Sequence, residues 1–281
     1  MSSRQKTALA MNRIHQDVRS SNRYHWYGFP IIHLAKEHTT MNPAWGQYEH
    51  SPFLSVICHI QFPVILKISQ ELPASFQEVL RKDYPLFQPT QDRRGYRLAS
   101  QEHAREILLL PDSLTVMTGR YAGWKEFRAR ISAAMSALQT CYEPAFCARA
   151  NLRFQSLLRP VRCGLTKFQW ASLINAKVLG PFSLPGQKGQ LHGSRHEVIV
   201  ALPDSEDRLR LIHGFVQYRE AGRADQPGEP SYLLDQDYFT TQQLEWAGVF
   251  SRLDRFEQEA GRFFRLCVTN QMHQAMVPKA A

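Results

Sequence analysis

Residues 149–158 read RANLRFQSLL, the plainest strand pattern in the chain. Apolar and polar residues alternate, so a β-strand would place Leu152 and Phe154 on one side and Arg153 and Gln155 on the other. An apolar face opposite a polar face is typical of an antiparallel sheet that packs on the core with one side. The stretch therefore predicts a half-buried sheet strand.

Other segments on both sides of this strand show strand and helix patterns. Further strands are predicted at 53–66 (ending at Pro63), 96–99, 106–110, 114–118, 197–202, 208–216 and 231–239. Apolar residues at helical spacing predict helices at 72–84, 124–142 and 246–267, the last capped by Thr240 and Thr241. Strands grouped in hairpins with helices between them indicate an α+β fold, with amphipathic helices packed on a mainly antiparallel sheet.

The domain organisation follows from length and local composition. The chain has 281 residues and is 43% hydrophobic, which is enough to form a core without disulfides. Residues 1–45 lack a sustained period and predict a basic, poorly ordered extension before an α+β domain at 46–281. A Leu-Pro-Asp-Ser turn occurs at both 110–113 and 202–205, which indicates two related halves, 46–160 and 161–281, unless the match is chance.

Cysteine content and hydropathy bear on the compartment. The five cysteines are scattered and odd in number, which favours a reducing compartment. No stretch reaches the roughly 18 uninterrupted apolar residues of a membrane helix. We therefore expect a cytoplasmic protein that does not span a membrane.

The positive charge is concentrated in the middle of the chain. Lys and Arg number 34 against 25 Asp and Glu, for a net charge of +9. Residues 144–196 contain no acid and eight of the basic residues. Such clustering is expected of a surface that attracts an acidic protein or a phosphate backbone, although chance also produces acid-free stretches.

The outward side of 149–158 and the residues just after it form the candidate binding surface. Guanidinium and amide groups on one sheet face can meet carboxylates, phosphates or base edges. An ordinary solvated strand face is the alternative. The candidate partner- or nucleic-acid-binding residues are Arg149, Asn151, Arg153, Gln155, Arg159, Arg162 and Lys167.

Catalytic motifs are not apparent, and we expect no catalytic residue, metal site or cofactor. Asp235 and Asp237 lie two apart, so a strand would project both carboxylates from one face, as a metal-dependent enzyme requires. A polar strand face explains the same spacing. Phe168 and Trp170 follow Lys167 and would stack on bases or, as aromatic residues more often do, pack in the core.

Scattered positions resemble a sporadically distributed prokaryotic family of unknown function, whose members are of similar length. The resemblance spans about 49–276 and rests on these residues: Glu71-Leu72-Pro73, Phe76, Tyr84-Pro85, Tyr121, Trp124, Phe127, Arg162, Gly164-Leu165, Leu234-Asp235, Asp237, Phe264 and Thr269. The family continues after Gly-Leu with Arg, Tyr and Asn, where this chain has residues 166–169, TKFQ. The resemblance implies a bacterial protein of the kind carried by mobile elements or defence genes, without assigned catalysis.

Concentrated charge without catalytic motifs favours a non-enzymatic accessory protein of a bacterial or archaeal assembly, of the defence or toxin-antitoxin type. It would dock on a partner protein through the basic face. RNA or DNA binding by the same face is the alternative, and a metal-dependent enzyme using Asp235 and Asp237 is a second one. The oligomeric state is left open by the sequence.

Overall fold

A computed structural model describes residues 47–279 except for 93, 184–192, 204 and 221–226. The predicted extension at 1–45 lies outside these residues. The strands of the described chain are β1 Phe53–Gln61, β2 Leu86–Pro89, β3 Tyr96–Ala99, β4 Arg105–Leu110, β5 Ser113–Thr118, β6 Arg149–Leu158, β7 His196–Ala201, β8 Arg208–Tyr218 and β9 Glu229–Phe239.

The nine strands form one sheet in the order β2-β3-β4-β5-β1-β6-β9-β8-β7. Every neighbouring pair is antiparallel. β1 and β6 form the central pair, with Ile57 opposite Arg153 and His59 opposite Asn151. β6 therefore lies in the middle of the sheet, between β1 and β9.

The helices are α1 Lys67–Gln70, α2 Ala74–Leu80, α3 Trp124–Tyr142, α4 Ala176–Leu179, α5 Trp246–Cys267 and α6 Asn270–Ala275, with short 3-10 helices at Val161–Cys163, Trp170–Ser172 and Gly180–Ser183. The long helices α3 and α5 pack on one face of the sheet, α3 against β5 and α5 against β6 and β9. This arrangement confirms the predicted α+β fold with a mainly antiparallel sheet.

The core lies between the sheet and these two helices. α3 buries Phe127, Ile131 and Leu138 completely, at the helical spacing seen in the sequence. The rings of Phe154 on β6 and Tyr121 before α3 meet edge to face at 5.8 Å. Each fully buried large apolar side chain contributes about 1.5–3 kcal/mol to folding, so this layer holds the two helices on the sheet.

Two predicted details of the helices are wrong. Leu72 and Val79, expected on an apolar helix face, are 76% and 61% exposed. Leu72 precedes α2, and the buried side of α2 contains only Phe76 and Leu80. The second error concerns the start of α5, whose N-cap residue is Glu245 rather than the predicted threonines.

The remaining features concern strand ends and hydropathy. β1 ends at Gln61, two residues before Pro63, as expected of a residue that cannot donate to the ladder. The edge strand β2 was not predicted from the sequence. No helix in the described part of the chain is long and apolar enough to cross a membrane.

Candidate partner-binding surface

β6 carries four of the candidate residues on one face of the sheet. Arg149, Asn151, Arg153 and Gln155 occupy alternate, partly buried positions between fully buried core residues. They lie on the face opposite α3 and α5, so the predicted alternation is confirmed. Arg159 follows immediately after the last residue of the strand.

Arg153 is paired with a carboxylate of the neighbouring strand. Its Nε and Nη2 donate to the two oxygens of Asp235 at 2.8 and 2.5 Å. The two side chains are only 12% and 6% exposed. Gln155 donates to the same carboxylate at 3.2 Å and accepts a hydrogen bond from the Ser55 hydroxyl at 2.6 Å. The guanidinium charge is therefore neutralised within the chain.

The second aspartate of β9 is held in a similar way. Asn151 donates its amide to Asp237 at 3.1 Å and accepts a hydrogen bond from Nε of Arg149 at 3.0 Å. The Arg149 guanidinium lies 4.1 Å from the centre of the Phe239 ring, a cation–π contact. Burial raises the pKa of Asp237, while the charge of Arg153 and the Asn151 hydrogen bond lower it. Burial lowers the pKa of Arg149.

These contacts bear on the predicted metal site. Asp235 and Asp237 project from one face of β9, as their spacing indicates, but Arg153 and Asn151 donate to their oxygens. A divalent cation would have to displace these donors to be bound there. Among the residues described, no group of three or more His, Cys, Asp and Glu side chains is arranged to hold a metal ion.

Arg159 also meets an acid of β9. Its Nε and Nη2 donate to one oxygen of Glu229 at 2.9 and 2.5 Å, and its guanidinium lies 4.2 Å from the centre of the Tyr218 ring. Arg159 and Glu229 are each 19% exposed. Aromatic and acidic residues that sequence reasoning did not assign to the site, Phe239, Tyr218 and Glu229, thus complete it.

The expectation that Arg153 and Arg159 bind a partner is therefore corrected, because their charges are already neutralised within the chain. Their acids come from β9, some 70 to 80 residues further along the chain. The sequence shows that residues 144–196 contain no acid, but it does not show which strand lies beside β6. Antiparallel pairing with β9 supplies the carboxylates.

Three cations of the same acid-free block lie beyond β6 and are exposed: Arg162 in the first 3-10 helix, Lys167 in the loop that follows it, and Lys177 in α4. Within the described ranges, none of the three forms an ion pair with a carboxylate. Arg162 and Lys167 are five residues apart, so their Cα atoms are separated by at most about 18 Å. These charges are available to a partner.

A shallow cleft lies beside the first of these cations. Arg159, Arg162, Cys163 and His50 line it together with Met272 and other apolar side chains. The enclosed space is only about 10 Å³, room for about one water molecule. Small-molecule sites typically enclose about 300–1,000 Å³, so the cleft is far too small to hold a substrate.

Phe168 and Trp170 belong to the core rather than to a stacking surface. The Trp170 ring lies 5.2 Å from Phe215 and 6.1 Å from Tyr232, measured between ring centres. Phe168 lies 5.2 Å from Trp170, and both are partly buried against the core. Both aromatic residues therefore pack against the core, which is the commoner of the two alternatives.

Comparison with known proteins adds no function to this surface. Neither the protein-family models nor the curated proteins contain a match to the chain. The resemblance to a prokaryotic family stays a prediction, and what the surface does has to be argued from its geometry.

Proposed function

We propose that this protein is a non-enzymatic accessory subunit that docks on an acidic partner protein through the exposed cations that follow β6. The observation that carries the proposal is the division of the acid-free block into two parts. On β6 and at its end, Arg153 and Arg159 are neutralised by β9. Beyond it, Arg162, Lys167 and Lys177 are exposed and unpaired among the described residues.

The cost of binding differs between these two parts. A partner carboxylate that approached Arg153 would compete with Asp235, whose bidentate bond is already made in a nearly buried setting. Arg162 and Lys167 have no such competitor in the chain described. Exposed charges of this kind raise the association rate and select partners of opposite charge. The docking surface is therefore centred on Arg162 and Lys167, with Arg159 and the cleft at its edge.

Nucleic acid is the alternative ligand for the same surface. A phosphate backbone is bound by several cations at once, and each contact steepens the dependence of affinity on salt. Since the guanidinium groups of Arg153 and Arg159 are neutralised within the chain, the number of free cations favours a protein partner. The cytoplasmic location and the membership of a prokaryotic assembly of the defence or toxin-antitoxin type are part of this proposal and depend on the family resemblance.

The test is lysine-directed cross-linking in a lysate of the native host, with cross-linked peptides identified by mass spectrometry. We expect a cross-link from Lys167 or Lys177 to a lysine in or beside an acidic segment of one partner. Arg162→Glu keeps both lysines and should reduce the cross-link yield about tenfold, because it places a like charge against the partner. Arg120→Glu is the control, since Arg120 is 74% exposed, lies before α3 and pairs with Glu102, which is itself 63% exposed.

Two results would contradict the proposal. One is a cross-link yield that is equal in both variants, and the other is the absence of any cross-link from these lysines. Titration of a single-stranded oligonucleotide at two salt concentrations covers the alternative. A steep fall of affinity with salt, lost in Arg162→Glu, would assign the surface to nucleic acid instead.

We also infer that the domain consists of two related halves, with the boundary between α3 and β6 rather than at 160/161. In the first half, β1 is followed by the antiparallel meander β2–β5 and then by α3. In the second half, β6 is followed by the antiparallel meander β7–β9 and then by α5. The two Leu-Pro turns do not support this pairing. Leu110 ends β4 before β5, whereas Leu202 follows β7, and these hairpins hold different places in the two meanders.

A further inference from the structure

β7 is an edge strand whose outer backbone groups are unpaired in the described chain. It pairs only with β8, with His196 opposite His213 and Val198 opposite Leu211. In the same register, the N–H of Ser194 donates to Phe215 and the N–H of Leu202 donates to Asp207, both at 3.0 Å. The even-numbered residues of β7 therefore bond to β8.

The odd-numbered residues must then direct their N–H and C=O groups away from the sheet. In an antiparallel ladder, the backbone groups of alternate residues point to opposite sides. The N–H and C=O groups of Glu197, Ile199 and Ala201 therefore face outward. Such an edge is a template for another strand unless it is blocked by proline, lysine or a bulge. The other edge, β2, has Pro89 within it and Pro85 just before it. β7 contains no proline or lysine.

We propose that β7 pairs antiparallel with β7 of a second copy of this chain, about a two-fold axis at Ile199. This register places Glu197 opposite Ala201 of the other copy, so like charges do not face each other. Glu197 is already compensated, since Nε of Arg210 donates to it at 2.7 Å. On the helix side of the sheet, Val198 is 39% exposed and would be covered by Val200 of the second copy.

Two other registers are less favourable for the same pair of edges. A two-fold axis at Glu197 would set two carboxylates directly opposite each other. A two-fold axis at Ala201 would bring Ile199 opposite Pro203, which has no N–H to donate. The axis at Ile199 avoids an acid pair and leaves Pro203 opposite Arg195, where both residues lie outside β7.

The test is the molar mass in solution, measured by light scattering over a range of concentrations up to about 1 mM, a range chosen for a weak interface. We expect the wild-type protein to approach the mass of two chains. Ile199→Pro removes one outward N–H and no bond to β8, and Ile199→Lys sets two ammonium groups opposite each other. Each should weaken the dimer at least about tenfold, whereas Ile199→Val should leave it unchanged.

The register has its own test. Residues opposite each other in a hydrogen-bonded pair have Cα atoms about 5.5 Å apart, within disulfide range. Ile199→Cys should thus form a covalent dimer on mild oxidation, while Glu197→Cys and the wild type, with its five native cysteines, should not. A wild-type protein that stays monomeric, or a dimer that survives both Ile199→Pro and Ile199→Lys, overturns the proposal.

Discussion

A Cβ atom built on Gly214 would lie 2.1 Å from the carbonyl oxygen of Ser194. Gly214 is in β8 with φ +152°, and the N–H of the neighbouring Phe215 donates to the Ser194 hydroxyl at 3.2 Å. The backbone of the loop before β7 thus lies against β8 at the one position without a side chain. This close approach fixes the start of the edge strand.

Gly214→Ala is expected to destabilise the protein by about 3 kcal/mol, because backbone atoms on both sides would have to move. Gly248→Ala is the control. Gly248 lies in α5, where a Cβ meets nothing within 4 Å, so alanine should raise the stability by up to about 1 kcal/mol. Urea unfolding measures both values. Equal effects of the two substitutions would show that the loop gives way easily.

The ion pair between Arg153 and Asp235 predicts strong coupling. Arg153→Met leaves a nearly buried carboxylate without its guanidinium, and Asp235→Leu leaves a nearly buried guanidinium without its carboxylate. Each substitution should therefore lower the free energy of unfolding by about 3–5 kcal/mol. The double variant should cost at least about 1 kcal/mol less than the sum, since neither charge is left alone. A double-mutant cycle by urea unfolding tests this. Additive losses would mean that the two charges act separately.

The elements that local pattern defines were predictable from the sequence. The helical period predicts α3 at 124–142 and α5 up to Cys267, which are the observed bounds. Period-two alternation likewise predicts β6 and the face on which its guanidinium groups lie. These patterns suffice because each depends on burial of one side of one element.

What the sequence did not show depends on contacts between distant segments. β2 has four exposed residues and no alternation, so only its pairing with β3 defines it as a strand. The acids that neutralise Arg153 and Arg159 are known only once β9 is placed beside β6. The charge of the candidate surface therefore follows from topology, not from composition.

Thr240 also makes a contact with a distant segment that local pattern does not show. Its hydroxyl, expected to cap α5, instead accepts a hydrogen bond from the N–H of Ala150 at 3.0 Å, and both residues are buried. Thr240→Val keeps the shape and removes the acceptor, so the buried N–H loses a partner at a cost of about 1–3 kcal/mol. The N–H of Thr240 also donates to the Ala150 carbonyl, and this bond should persist.

Two variants serve as controls for Thr240. Thr240→Ser keeps a hydroxyl and should recover most of the loss. Thr241→Val removes an exposed hydroxyl that donates to the Glu206 carbonyl at 2.8 Å, where water can replace it, and should cost less. Thermal unfolding ranks the three variants. A Thr241→Val loss as large as that of Thr240→Val would contradict the role given to burial.

His59 predicts a dependence of stability on pH. Its Nδ1 lies 2.8 Å from the Thr115 hydroxyl on the sheet face opposite the long helices. Burial lowers the pKa of His59 to about 4, helped by the charge of Arg149 and opposed by that of Asp112. A histidine in the unfolded chain has a pKa of about 6.5. Between these values the unfolded chain binds more protons, so stability must rise with pH.

The contribution of His59 is therefore complete above about pH 6.5 and lost as the pH falls towards 4, a change of about 3 kcal/mol. His59→Gln removes the titrating group and retains a hydrogen-bonding side chain. We expect the free energy of unfolding in urea, measured from pH 4.5 to 7.5, to fall less steeply towards acid in this variant. Groups that titrate in both proteins cancel in the comparison, so parallel curves would show that His59 takes up its proton equally well in the folded state.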